Sequence, residues 1–236
     1  TGCKHDAKNT LDKNYLYLAE KLGAAVHPET RVTDVRPAAD GGSEVHAERS
    51  TAPFARRPRV FRARGVVFAA GALGTTRLLL ECRARGSLPR LSEQLGNFVR
   101  TNSEQLVGAT ARHPAIDFSQ GIAITSGVDA DEHTHMEIVR YGKGQDFMGT
   151  LTTHLTPDAP PWPRWLRWLG GLVRHPLRTL GMTLARDWAA RTAIVLVMQP
   201  LESFMRLRLG RRLFGAALRS EIVDGPRPPS FIPIGN

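Results

Sequence analysis

Leu11, Tyr15, Leu18 and Leu22 recur at helical spacing, which predicts an amphipathic helix that starts at Asn9-Thr10 and is capped by Gly23. The period then shortens. Residues 24–26 and 30–35 read as extended segments, broken by Pro28 and closed by Pro37, and Asp40-Gly41-Gly42 is a turn signal. Residues 44–48 and 59–63 alternate, as in a hairpin-like excursion. Val66-Val67-Phe68-Ala69-Ala70 does not alternate; a short apolar run of this kind suits a strand buried on both faces, as in a parallel sheet. Gly71 and Gly74 then read as a tight turn, with Thr75-Thr76 capping a helix that carries Leu78, Leu79, Leu80 and Cys82. Residues 88–100 form a connector with a turn at Gly96-Asn97.

Beyond Glu104 the pattern is strand-rich. Residues 105–110, 121–124, 135–141, 193–198 and 205–209 read as strands of an antiparallel sheet with one packed side. Residues 160–188 interrupt them with a helical excursion. Trp162, Trp165, Trp168, Leu169 and Leu172 crowd its first half, and Pro176 suits a first helical position. Leu177, Leu180, Leu184 and Trp188 follow, with Arg164, Arg167 and Arg174 on the flanks. Such a stretch is either a helical layer packed on its own domain or an interfacial arm and lid. The predicted fold is α/β with α+β: part of a Rossmann-like domain over residues 1–103, then a substrate domain over 104–236 built on an antiparallel sheet.

Small residues where a strand meets a helix let a ligand approach the backbone, and the helix start offers free N–H groups to an anion. An ordinary strand-turn-helix looks the same. The segment Val-Val-Phe-Ala-Ala-Gly-Ala-Leu-Gly-Thr-Thr-Arg-Leu-Leu-Leu, however, resembles the second signature segment of the glucose–methanol–choline (GMC) flavin oxidoreductases. Arg85-Gly86-Ser87-Leu88-Pro89 and Leu95-Gly96-Asn97 are closer to the family's cholesterol-oxidase-like branch. The stretch from Ala7-Lys8-Asn9-Thr10-Leu11 through Tyr15-Leu16-Tyr17-Leu18-Ala19 resembles the family's segment ahead of the middle strands of its flavin domain. The resemblance implies FAD as cofactor, with Val32, Ala70, Gly71, Gly74, Thr75 and Asn97 near it and Asn102 a further candidate. It also implies a bulky, apolar, sterol-like alcohol as substrate, whose hydride passes to the flavin. Many family members carry an Asp-His pair near Asn97; here the chain reads Asn97-Phe98-Val99-Arg100-Thr101-Asn102.

The bulk numbers are those of a globular chain: 236 residues, 42% hydrophobic and 23% charged. No run approaches the roughly 20 apolar residues of a membrane span, and no basic-then-apolar leader precedes the first helix, so a cytoplasmic or peripheral-membrane location is expected. The chain starts at Thr1 and ends in a Pro-rich run, as a piece of a longer polypeptide would. A net charge of +10 admits an anionic surface or cofactor. The arginines are dispersed and no nucleic-acid module is present, so nucleic acid is not expected as a partner. Cys3 and Cys82 are too few for a disulfide scaffold.

Asp129, Asp131, Glu132, His133 and His135 invite a metal reading, with both imidazoles on one strand face. An exposed acidic turn before a strand explains them better, and no metal is assigned. The chain has no Gly-x-Gly-x-x-Gly, no Gly-x-Ser-x-Gly elbow and no P-loop. His154, after Thr152-Thr153, can face a pocket, but no catalytic residue is assigned. Three readings stay open: a sterol-type FAD oxidoreductase, a flavin dehydrogenase of another alcohol or sugar, and a non-catalytic basic segment that contacts membranes peripherally through residues 162–188.

Overall fold

A computed structural model describes residues 7–52, 56–113, 115–157, 162–212, 215–226, 229 and 231–235; Cys3 lies outside them, as does Pro160 at the head of the predicted excursion. The fold is mixed α and β, its sheets antiparallel throughout the described strand pairs. The chain divides into two compact units. One takes in the chain up to Gly96 with Leu207–Arg219, the other Asn97–Arg206 with Ser220–Asn236.

In the first unit a 3-10 turn, Leu11–Lys13, precedes helix α1, Tyr15–Lys21, whose first amide donates to the Asn14 side chain. Gly23 follows with φ of +94°, as a helix end requires. The apolar stripe of α1 is exposed: Tyr15, Leu18 and Leu22 all face solvent. Strands β1 (Thr30–Pro37), β2 (Ser43–Arg49) and β3 (Arg59–Ala63) form a meander in that order. The predicted turn joins β1 to β2: Gly42 donates its amide to Asp40 Oδ1 at 3.2 Å, and Gly41 takes a φ of +88°.

Helix α2, Gly71–Arg85, packs on β1 and buries Leu80 and Cys82. Asp34, on β1, ties the two together, accepting from Arg36 Nε at 2.7 Å and from Ser87 Oγ at 2.8 Å. Gly86 ends α2 in the left-handed region, and the Cys82 carbonyl accepts from the Ser87 amide at 3.0 Å.

Residues 66–70 overturn an expectation. They form no strand, and Val67 is 91% exposed. A doubly buried strand needs a partner along its edges and cover on its faces. β3 ends at Ala63 and, among the described strands, pairs with β2 alone, and no described strand is paired with the run. Residues 24–26 likewise form no strand.

In the second unit β4 (Gln105–Thr110), β5 (Ile124–Asp131), β6 (Thr134–Val139) and β7 (Thr192–Met198) make one sheet in the order β4-β7-β6-β5. β7, the most apolar, is central and mostly buried. Strand β5 starts at Ile124, where the predicted strand over 121–124 ends, and carries Asp129 and Asp131 within it. The excursion forms α3 (Arg164–Arg174) and α4 (Pro176–Thr183), with Pro176 at its first position as expected.

Trp188 does not belong to this excursion. It opens α5 (Trp188–Arg191), is 3% exposed, and packs with Ala189 and Ile194 against Val139, Tyr141 and Met148. A Cβ on Gly149 would lie 2.8 Å from its indole, so the glycine makes room for the ring. The Pro-rich end is not uniformly open either. Ile232 is fully buried and donates its amide to the side chain of Gln105. Strands β8 (Phe204–Arg212) and β9 (Gly215–Asp224) pair as a ribbon.

Candidate functional site

At the start of α2 the geometry differs from the predicted turn and cap. The helix begins at Gly71, so Gly74 and Thr75 lie inside it rather than ahead of it. Gly71 has φ of +71°, and a Cβ there would meet no atom within 4 Å: its backbone faces open space. Thr75 caps in a different sense, its Oγ1 accepting the Ala70 amide at 3.0 Å and folding the incoming chain onto the first turn. Gly74 lets Ala70 come close, since a Cβ on Gly74 would sit 3.1 Å from that of Ala70. Ala70, Gly71, Gly74 and Thr75 thus form one local feature, an open glycine backbone at a helix start.

Val32 lies on β1 beside a register shift between Val32 and Asp34 and is partly exposed. Asn97 belongs to the second unit, where its Oδ1 accepts from Arg206 Nε at 2.8 Å. Asn102 donates to Glu104 Oε2 at 2.9 Å, and its carbonyl accepts the Gln199 amide at 3.1 Å. Each asparagine side chain is thus engaged by another side chain, Asn97 by Arg206 and Asn102 by Glu104.

A cleft of about 1660 Å³ runs through the second unit. Strands β4 and β7 supply its floor, through Leu106, Gly108 and Ile194 among others, and α3 and α4 supply the facing wall, with Trp165, Trp168 and Met182. The volume exceeds the roughly 300–1,000 Å³ of pockets for drug-sized ligands. His154 stands in its lining. Its imidazole stacks on Trp168, centroids 6.4 Å apart and planes within 5°. Trp168 Nε1 donates to Thr153 Oγ1 at 2.6 Å, and Arg164 Nε to the Thr156 carbonyl at 3.0 Å. Both ring nitrogens of His154 are buried without a hydrogen-bond partner. Such a group carries a desolvation cost until something in the cleft meets it.

Sequence reasoning singled out His154 and the Trp-rich excursion separately; the structure brings them together. It missed Tyr141 and Met148 in the cleft, because neither differs in pattern from an ordinary strand or loop residue.

The acidic and histidine cluster comes apart. His133 sits in the β5–β6 turn, not on the strand with His135, and lies 3.3 Å from Glu132. His135, on β6, places Nδ1 2.6 Å from Asp129 Oδ1 and Nε2 3.4 Å from Glu137 Oε1. The hydrogen bond to Asp129, followed by the influence of Glu137, holds the His135 imidazolium above its ordinary range. Two carboxylates and one imidazole make an ion-pair ladder across the strands. Among the described residues no group of three or more His, Cys, Asp or Glu is placed to hold a metal.

No protein-family model matches the chain. Along its whole length it is 44% identical, over 244 aligned residues, to a protein of Acinetobacter baumannii named cholesterol oxidase. It is likewise 43% identical over 250 residues to a protein of Mycobacterium tuberculosis strain H37Rv of the same name. The chain spans 43% and 42% of the length of these relatives.

Proposed function

We propose that this chain, a relative along its entire length of proteins named cholesterol oxidase, is part of an FAD-dependent oxidoreductase that oxidises the CH–OH group of a bulky, apolar, sterol-like alcohol. The observation that carries the reading is the match over the whole chain at 43–44% identity, which agrees with the resemblance of residues 64–80. The wide cleft, walled by tryptophans and by the apolar faces of β4 and β7, supports an apolar substrate of some size.

In this reading residues 1–103 contribute to the cofactor side and 104–236 to the substrate side. Gly71 fits a cofactor best, because its backbone is open and a side chain would obstruct it. Ala70, Gly74 and Thr75 hold that opening in place, and Val32 belongs to the same unit. Asn97 fits less well, its carbonyl oxygen being engaged by Arg206. FAD, when bound, supplies the acceptor of the hydride. The work of this chain is to exclude water from the alcohol, to orient it against an apolar wall, and to offer a polar point at His154. The catalytic base is not assigned to a residue of this chain.

The absorption spectrum of the purified full-length protein tests the reading, together with turnover of a sterol. Flavin bands and conversion of the sterol alcohol to the ketone are expected. A folded, colourless full-length protein overturns it.

A further inference from the structure

The α3–α4 arm presents a basic stripe to the cleft. Arg164, Trp168, Gly171, His175, Arg178 and Met182 recur at intervals of three and four residues, and all six line the cavity. A helix packed on its own domain ordinarily sends its apolar residues inward and its charges outward. Here Leu169, Val173 and Leu177 lie off the stripe and are exposed, while two guanidinium groups and an imidazole belong to the cleft wall. The middle of the stripe is pinned. The Trp168 indole is bonded to Thr153 and stacked on His154, whose Nε2 would lie 2.2 Å from a Cβ on Gly171.

The basic groups differ in what meets them. Arg164 gives its Nε to the Thr156 carbonyl at 3.0 Å. Arg178 and His175, three residues apart and so neighbours on the wall, make no side-chain hydrogen bond or ion pair among the described residues. Glu104 is the one acid among the described lining residues, and its Oε2 already accepts from Asn102 at 2.9 Å. The floor opposite is apolar, with Leu106, Gly108 and Ile194. A ligand whose only polar group is one hydroxyl would cover that floor and strip water from Arg178 without replacing it, at a desolvation cost. A carboxylate on the same frame would accept two parallel hydrogen bonds from the guanidinium. A few placed polar groups in an otherwise apolar cavity are what fix a ligand's orientation.

We propose that the cleft selects an amphipathic ligand, a bulky apolar alcohol that also carries a carboxylate at the end remote from its hydroxyl. The carboxylate lies against Arg178 and His175, and the apolar frame lies over β4 and β7. The proposal deepens the oxidoreductase reading and rests on it for the alcohol, but its test uses no turnover.

The test is equilibrium dialysis of the full-length protein against 3-oxo-5α-cholan-24-oic acid and against its methyl ester. Both probes are ketones that the proposed oxidation does not consume, and they differ in one methyl group and the charge it removes. Wild-type protein should bind the acid at least about tenfold more tightly than the ester, and rising salt should narrow the gap. Arg178→Gln should lower the ratio of the two affinities about tenfold, and Arg178→Lys, which keeps the charge, should restore part of it. Circular dichroism checks that the variants fold, and the wild-type comparison decides the matter even where one does not. An acid that binds no more tightly than its ester overturns the proposal. So does a preference for the acid that survives in Arg178→Gln/His175→Gln, because the anion would then be met elsewhere. A colourless full-length protein that still prefers the acid sinks the oxidoreductase reading and leaves the carboxylate site standing. A flavin-bearing protein that oxidises a sterol and binds acid and ester equally sinks the carboxylate site alone.

Discussion

Asp34 is 4% exposed, and burial alone would raise its carboxyl. The hydrogen bonds from Arg36, Ser87 and Cys82, with the charge of Arg36, outweigh that and hold it below the ordinary carboxylate range. A carboxylate depressed in the native state stabilises the fold above its unfolded value of about 3.9, and that contribution disappears as pH falls through the lower native value. Asp34→Ala should therefore cost about 2–3 kcal/mol at neutral pH, read from the shift in the denaturant midpoint, and the deficit should shrink in acid. Burial, followed by the neighbouring Asp34, pushes the Cys82 thiol up, and with the side chain fully buried this cysteine should react slowly with thiol reagents in the folded protein.

His135 has the opposite sign. Its raised value means its ion pair with Asp129 stabilises fully below about 6.5 and is lost as pH rises through the native value. Its imidazole should titrate above 6.5 by NMR in the wild type and move down in Asp129→Asn. Neither arrangement was legible in the sequence. Ser87 is 53 residues from Asp34, and the pairing of Asp129 with His135 depends on a strand register that shifts between Asp129 and Asp131.

Elements were far more legible than their contacts. Strands β1, β2, β3, β4 and β7 fall where local alternation or an apolar run puts them, because a strand's period is written in its own residues. The run at 66–70 carries the same kind of signal and forms no strand, since a buried strand is a property of its neighbours as much as of itself. The helix after it starts earlier than its threonines suggested, because glycine tolerates the left-handed conformation that opens α2.

Two adjacent glycines of α3 make a paired test at this scale. Gly170 has nothing within 4 Å of an added Cβ, so Gly170→Ala should gain the helix propensity of about 0.5–1 kcal/mol. Gly171→Ala gains the same propensity but meets the His154 ring, wedged against Trp168, and should lose about 1–3 kcal/mol net through overpacking. Thermal midpoints of the two variants should move in opposite directions; movement together would mean that the His154 ring does not constrain the arm. Gly71→Val belongs here too. A β-branched residue at positive φ costs about 1–2 kcal/mol, and its side chain fills the open space at the start of α2. In the full-length protein it should abolish flavin content, read by absorbance; a normal spectrum would show that the backbone at Gly71 is not approached.

At the scale of the molecule, the surface left open is uneven. Tyr15, Leu18 and Leu22 on α1 and Val67 in the failed strand are all exposed in the first unit, while β7, Trp188 and Ile232 give the second a buried centre. A helix whose apolar stripe faces water has little tertiary support, and a seven-residue helix is too short to persist on propensity alone. The relatives are more than twice as long as this chain. An apolar surface of this kind is what further polypeptide would cover. The 236-residue chain by itself should therefore bind a hydrophobic dye such as ANS strongly, and amides of α1 and of residues 66–70 should exchange rapidly while those of β7 stay protected. In the full-length protein dye binding should fall and both segments should gain protection. Protection at α1 in the isolated chain equal to that in the full-length protein would mean that the first unit completes itself, and that the exposed stripe serves a partner rather than the rest of the polypeptide.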